Sequence, residues 1–176
     1  MARLKEYNGH YCESEYEYAF IGFLEADGWI YTSGNNILRV TKRDVLIADD
    51  FKKFITDTNP DLTEEEVTQI YDNVRLVGAE SDFATLHKVY GWMVNGVQFT
   101  PQDELPRMIP LIDFDNWDKN IFRVVNQFTV EYTNNGQKEN RRLDVLLFVN
   151  GMPLCVIELK NPADANATIY AAWEQI

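Results

Sequence analysis

An α/β domain with a helical insertion is the fold class that the sequence predicts, and three observations carry that prediction. Along the 176 residues the patterns run helix, strand, helical block, strands, helix. The helical period of the early segments gives way after residue 107 to runs rich in β-branched and aromatic residues. The chain is long enough for one domain with an insertion, and at 45% hydrophobic it can bury a core. No internal repeat or flexible linker interrupts it.

The first element is ESEYEYAFIGFLEAD (13–27), a helix whose apolar stripe reads Tyr16, Ala19, Phe20, Phe23 and Leu24, with Gly28 as a stop. WIYTSG (29–34) reads as a short strand and turn. TKRDVLIADDFKKFITD (41–57) predicts a second helix, ended by Pro60. Thr63 and Glu66 form a capping box that opens a helix to about Leu76, and Ser81–Val94 predicts another. The apolar stripes of these middle helices read as packing faces. MIPLIDF (108–114) and IFRVVNQFTVEYT (121–133) are β-rich, and NNGQKEN (134–140) is a turn or loop. A hairpin, LDVLLFVNGMPLCVIELK (143–160), comes next, then a helix over Ala163–Gln175. The chain stops there in mid-pattern, as a fragment of a longer protein would.

Composition excludes several classes. No apolar run approaches the roughly 20 residues of a membrane span, and the N-terminus has no apolar signal region, so a cytoplasmic protein is expected. Two His and two Cys, widely scattered, do not make a zinc site, and Cys155 among Leu154, Val156 and Ile157 reads as a reduced core thiol. A net charge of −12 argues against a general nucleic-acid clamp, although Lys138, Arg141 and Arg142 cluster just before Asp144. No glycine-rich phosphate loop is present.

The hairpin poses the chemical question. Glu158 and Lys160 share one face of a strand, and both faces are otherwise apolar, which predicts a central strand covered on both sides. A salt bridge alone would explain the pair, but buried salt bridges are poor sources of stability. Asp144 on the neighbouring strand adds a surplus carboxylate. Two carboxylates held together repel unless a cation neutralises them or one stays protonated. Two such oxygens with a backbone carbonyl make a partial shell for Mg²⁺, beside which a lysine can orient an attacking water. A regular two-residue turn at Asn150-Gly151 would place Asp144 and Glu158 on opposite faces. The site therefore requires a bulge or an odd loop, most simply the three-residue loop Val149-Asn150-Gly151. On the first helix, Glu17 lies in line with Phe20, Ile21 and Leu24 and can look inward.

Asp144, then Glu158-Leu159-Lys160, resembles the PD-(D/E)xK nuclease signature. The wider phrase RRLDVLLFVNGMPLCVIELKNP (141–162), with ESEYEYAFIGFLEADGW (13–29), is similar to the N-terminal nuclease domain of the restriction (R) subunit of type I restriction-modification enzymes. The resemblance implies a mixed central sheet flanked by helices, with residues 13–35 and 107–176 as nuclease core and 41–95 as helical insertion. It implies Asp144, Glu158 and the Leu159 carbonyl as Mg²⁺ ligands and Lys160 as the residue that positions the water. Glu17 would orient a water or hold a second ion. Gln175, Arg141 and Arg142 would contact DNA or support the site. The complete subunit would also bind ATP, and its partners would be double-stranded DNA and the modification and specificity subunits. Two rivals are a nuclease of the same fold, such as a junction resolvase, and a catalytically silent domain that docks a motor.

Overall fold

The computed structural model describes residues 6–7, 10–11, 13–77, 82–134 and 136–160. The helix expected over 163–175, and Gln175 with it, lies outside the described residues. The chain divides into two compact units, one of residues 1–45, 122–148 and 153–176, the other of residues 46–121 and 149–152.

The first unit is built on a sheet. Strands β1 (Glu6–Tyr7) and β2 (His10–Tyr11) form a small antiparallel pair ahead of α1 (Glu13–Ala26). Strand β3 (Ile30–Ser33) pairs in parallel with β6 (Phe122–Asn134), Tyr31 opposite Val124 and Ser33 opposite Asn126. Beyond them lie β7 (Gln137–Val149) and β8 (Met152–Ile157), giving a mixed four-stranded sheet in the order β3-β6-β7-β8. Gly28 ends α1 with φ +91°, and the Trp29 N–H closes the turn on the Leu24 carbonyl.

Helix α1 packs through Ile21 onto Val124 and Val145, with Phe20, Leu24, Trp29, Tyr31, Leu147 and Ile157 around them. The buried line is therefore Glu17–Ile21, with Phe20 and Leu24 partly buried. Tyr16 and Phe23, expected in the stripe, are 41% and 75% exposed. Apolar residues occur all round this helix, so its wheel has no single favoured face and contact with the sheet fixes its rotation.

The second unit holds α2 (Ala48–Thr58), α3 (Glu64–Arg75), α4 (Asp82–Asn95) and an antiparallel pair, β4 (Val97–Phe99) with β5 (Arg107–Ile109). Helices α2 and α3 pack through Phe51, Phe54, Ile55, Val67, Ile70 and Val74. The capping box at Thr63 and Glu66 forms as expected, and Glu66 also accepts from the Gln102 N–H. The helix expected from Thr41 begins only at Ala48. In the first unit, Asp44 instead accepts from the Thr41 N–H and hydroxyl, which closes a local turn. Helix α4 corrects a second expectation. Its Phe83, Leu86, Tyr90 and Val94 are exposed, so this stripe does not pack as those of α2 and α3 do.

Strand β8 departs from its prediction as well. Among the described residues it is the sheet's edge rather than a central strand, and Cys155 is an exposed free thiol rather than a core one. Proline at position 153 suits such an edge, where a missing N–H costs no ladder bond. The joining turn is the two-residue Asn150-Gly151, with φ of +50° and +76°. Val149 is a strand residue, so the three-residue loop is not formed. Within the second unit, Asn150 is fully buried. Its side chain accepts from the Ile121 N–H and donates to the Leu111 carbonyl and Asn120.

Candidate active site

A regular ladder running from that two-residue turn would set Ile157 opposite Asp144 and turn Glu158 to the other face. The contacts are the reverse. Ile157 packs against the cluster of Ile21, Val124 and Val145, on the face of β7 opposite Asp144, and Glu158 meets Asp144. The alternation of β8 has thus slipped by one residue before Ile157. Leu154 and Cys155, both exposed in succession, lie in the interval where it slips. The ladder then ends, and the Leu159 N–H donates to Asp144 Oδ2 at 2.9 Å. Asp144 and Glu158 thus meet beyond the end of the ladder although the turn itself is the two-residue one.

The electrostatics of the pair follow from this placement. Glu158 is pushed up to about 7, first by burial, then by the Asp144 charge and by a carboxyl–carboxyl hydrogen bond with Asp144, against the opposing pull of Lys160. Its Oε1 atom is buried and has no hydrogen-bond partner. Two facing carboxyls with an orphaned oxygen are an anionic cradle, and the donor set, hard oxygens, fits a hard divalent cation such as Mg²⁺.

Glu17 does not join them. It is 5% exposed, its Oε1 accepting from Asn126 Nδ2 at 2.6 Å and its Oε2 from Gln127 Nε2 at 2.9 Å. Neighbouring strand residues normally point to opposite faces. Gln127 breaks that rule through a left-handed φ of +53°, and both amides converge on one carboxylate. Tyr31 donates to Asn126 Oδ1 at 3.1 Å and so fixes which way that amide points. Gly34 lies against the kink, where a Cβ would come within 2.7 Å of the Asn126 carbonyl oxygen. Among the described residues, no group of three or more His, Cys, Asp or Glu side chains could hold a metal ion. Sequence reasoning missed Asn126 and Gln127 as partners of Glu17. The available signal was two adjacent polar residues interrupting the apolar run VNQF.

Strand alternation separates the two arginines. Arg141 stacks over Tyr132 at 5.9 Å from the ring centroid, whereas Arg142 is exposed on the face that carries Asp144.

A mixed sheet with α1 against one face, and a carboxylate pair with a lysine at the end of its edge hairpin, defines a nuclease-like α/β core. The chain belongs to the family of type I restriction enzyme R protein N termini, whose model matches residues 11–176. It is 36% identical, over 83% of its length, to a Methanocaldococcus jannaschii protein provisionally named type I restriction enzyme MjaIXP endonuclease subunit. It is 29% identical, over 93% of its length, to the type I restriction enzyme HindI endonuclease subunit of Haemophilus influenzae. The chain spans only 15% and 16% of the length of these two relatives. Among the described residues, no helix is long and apolar enough to cross a membrane.

Proposed function

We propose that this chain is the endonuclease domain of a type I restriction enzyme R subunit, hydrolysing phosphodiester bonds of double-stranded DNA with Mg²⁺. The observation that carries the reading is the meeting of Asp144 with Glu158, which pushes Glu158 up to about 7 and leaves one of its oxygens unpartnered. Such an arrangement costs folding free energy, and a divalent cation would relieve it. Asp144, Glu158 and the Leu159 carbonyl would hold that ion, which when bound would supply positive charge at the phosphoryl oxygens.

The chain's own groups do the rest. The Leu159 N–H fixes the Asp144 carboxylate, so the carboxyl pair is held in place before substrate arrives. Lys160 brings an ammonium beside Glu158, placed to orient the attacking water and to steady the negative charge that grows on phosphorus. Arg142, on the same face as Asp144, would contact the DNA backbone. Glu17, held by two amides on the α1 side, is assigned no step. In the complete protein this domain would act within an ATP-driven assembly with modification and specificity subunits, a reading supported by the family and by relatives several times longer than this chain.

Calorimetry with Mn²⁺ tests the site. Binding is expected to the wild-type chain and to be abolished by Asp144→Ala. Equal binding by the variant would overturn the assignment.

A further inference from the structure

The face of β7 that carries Asp144 also carries a row of cations. From Lys138 to Val145 the strand alternates regularly: Leu143 and Val145 are buried, Glu139 and Arg141 half-buried, and Lys138, Asn140 and Arg142 exposed. Contacts with β6 agree. Glu139 accepts from the Tyr132 hydroxyl at 2.7 Å and Arg141 covers the Tyr132 ring, whereas Lys138 reaches Glu131, the adjacent residue on the other face, at 3.5 Å. At roughly 3.4 Å per residue, Arg142 stands about 7 Å from Asp144 along the strand and Lys138 about 20 Å from it.

The segment ahead of α2 extends this row sideways. Arg43 pairs with Glu131 at 2.9 Å and donates to the Thr133 hydroxyl, and the Lys42 carbonyl accepts from the Glu131 N–H. Arg43 and Lys138 remain 52% and 70% exposed at the side chain, although both share Glu131. Arg43, Lys138 and Arg142 thus outnumber that carboxylate on one surface of a chain whose net charge is −12. Nearby Arg39 is different. It stacks on Phe128 at 3.9 Å and donates to the Thr129 and Asp44 carbonyls, so its guanidinium is spent inside the fold.

We infer that this surface, Arg43, Lys138 and Arg142, binds the phosphate backbone of double-stranded DNA and leads it along β7 to Asp144. The inference rests on the proposed function and adds to it the track by which a duplex reaches the carboxylates. A row about 20 Å long spans roughly six phosphates of one strand at 3.4 Å of helix axis each. An acidic chain repels DNA over most of its surface, so a local positive face sets the orientation in which a duplex can approach. Arg141, stacked on Tyr132 on the opposite face, is not part of the track.

The test uses the full-length subunit, a short fluorescent DNA duplex and anisotropy in EDTA over a series of KCl concentrations. Three proteins are compared with wild type: Arg43→Gln/Lys138→Gln/Arg142→Gln, a charge-matched Lys53→Gln/Lys88→Gln/Lys119→Gln control, and Asp144→Asn. The first is expected to bind at least about tenfold more weakly at low salt, with its salt slope reduced by roughly 0.9 for each phosphate that is no longer neutralised. The control is expected to keep the wild-type slope. Asp144→Asn is expected to bind like wild type, but its assembled complex is expected to cut no DNA with Mg²⁺ and ATP. Unchanged affinity and slope in the first variant, with wild type binding and cutting, would overturn the track alone. Equal losses in variant and control would overturn it too, by reducing the effect to net charge. A wild-type subunit that does not bind DNA, and whose assembled restriction complex does not cut it with Mg²⁺ and ATP, would overturn the proposed function and the track together.

Discussion

Glu158 is the residue on which the proposed chemistry turns, and its raised pKa predicts a measurable pH dependence. Its pKa in the fold is about 7 against an ordinary 4.5, so the folded chain keeps a proton that the unfolded chain has already released. The sign follows from linkage. The metal-free fold is most favoured, as far as this group is concerned, below about 4.5, and that contribution is lost as pH climbs to about 7. A cation must displace the same proton. Mn²⁺ affinity is therefore expected to weaken about tenfold for each pH unit below 7 and to level off above it, with a proton released on binding in the lower range. Calorimetry in two buffers of different ionisation enthalpy, at several pH values, checks both. A flat affinity from mildly acidic to mildly basic pH would contradict the raised pKa. At this scale the sequence is informative but incomplete. Asp144, Glu158 and Lys160 are legible as a surplus of charge in an apolar hairpin, and Glu17 as an inward-looking carboxylate. The amides that hold Glu17 are 109 and 110 residues away in sequence, and nothing about a glutamine announces a left-handed backbone.

Among the elements, the hairpin shows why local rules succeed separately and fail in combination. Asn-Gly reads as a two-residue turn because both residues tolerate positive φ, and that turn forms. The three-residue loop follows only if β8 alternates without interruption as far as Lys160. An edge strand with proline at position 153 is free to slip, so the register is corrected after the turn. Helix α1 is a milder case: its existence follows from period, but its rotation depends on Val124 and Val145, which no local window contains. Asn150 has a second role that turn propensity does not reveal. Asn150→Ala would strand the Ile121 N–H and take a donor from the Leu111 carbonyl and from the Asn120 amide oxygen, which keeps the Asp113 N–H, and would leave an alanine at positive φ. A loss of roughly 3 kcal/mol or more is expected in urea unfolding, since each buried unsatisfied group costs about 1–3 kcal/mol. A loss below about 1 kcal/mol would mean that the turn alone matters. By comparison, Thr63→Ala at the exposed capping box is expected to cost only about 1 kcal/mol by the same measurement.

At the scale of the whole molecule, the proposed track would reconcile an acidic chain with a DNA substrate by segregating charge, Arg43, Lys138 and Arg142 standing on the face of Asp144. The α/β class and the helical insertion are legible because helical and strand patterns occupy different stretches of sequence. The division into compact units is set by contacts that periodicity does not encode. Exposure of Phe83, Leu86, Tyr90 and Val94 on α4 likewise could not be read from spacing, because an apolar stripe has the same period whether or not anything covers it. The central claim is that Asp144, Glu158 and Lys160 form a phosphodiesterase site separate from whatever drives the complete enzyme. Its most direct test is the assembled restriction complex carrying Lys160→Ala, assayed in parallel for cleavage of unmodified circular DNA and for DNA-dependent ATP hydrolysis. Cleavage is expected to disappear while ATP hydrolysis stays at the wild-type rate. Cleavage at the wild-type rate, or loss of both activities together, would contradict the claim.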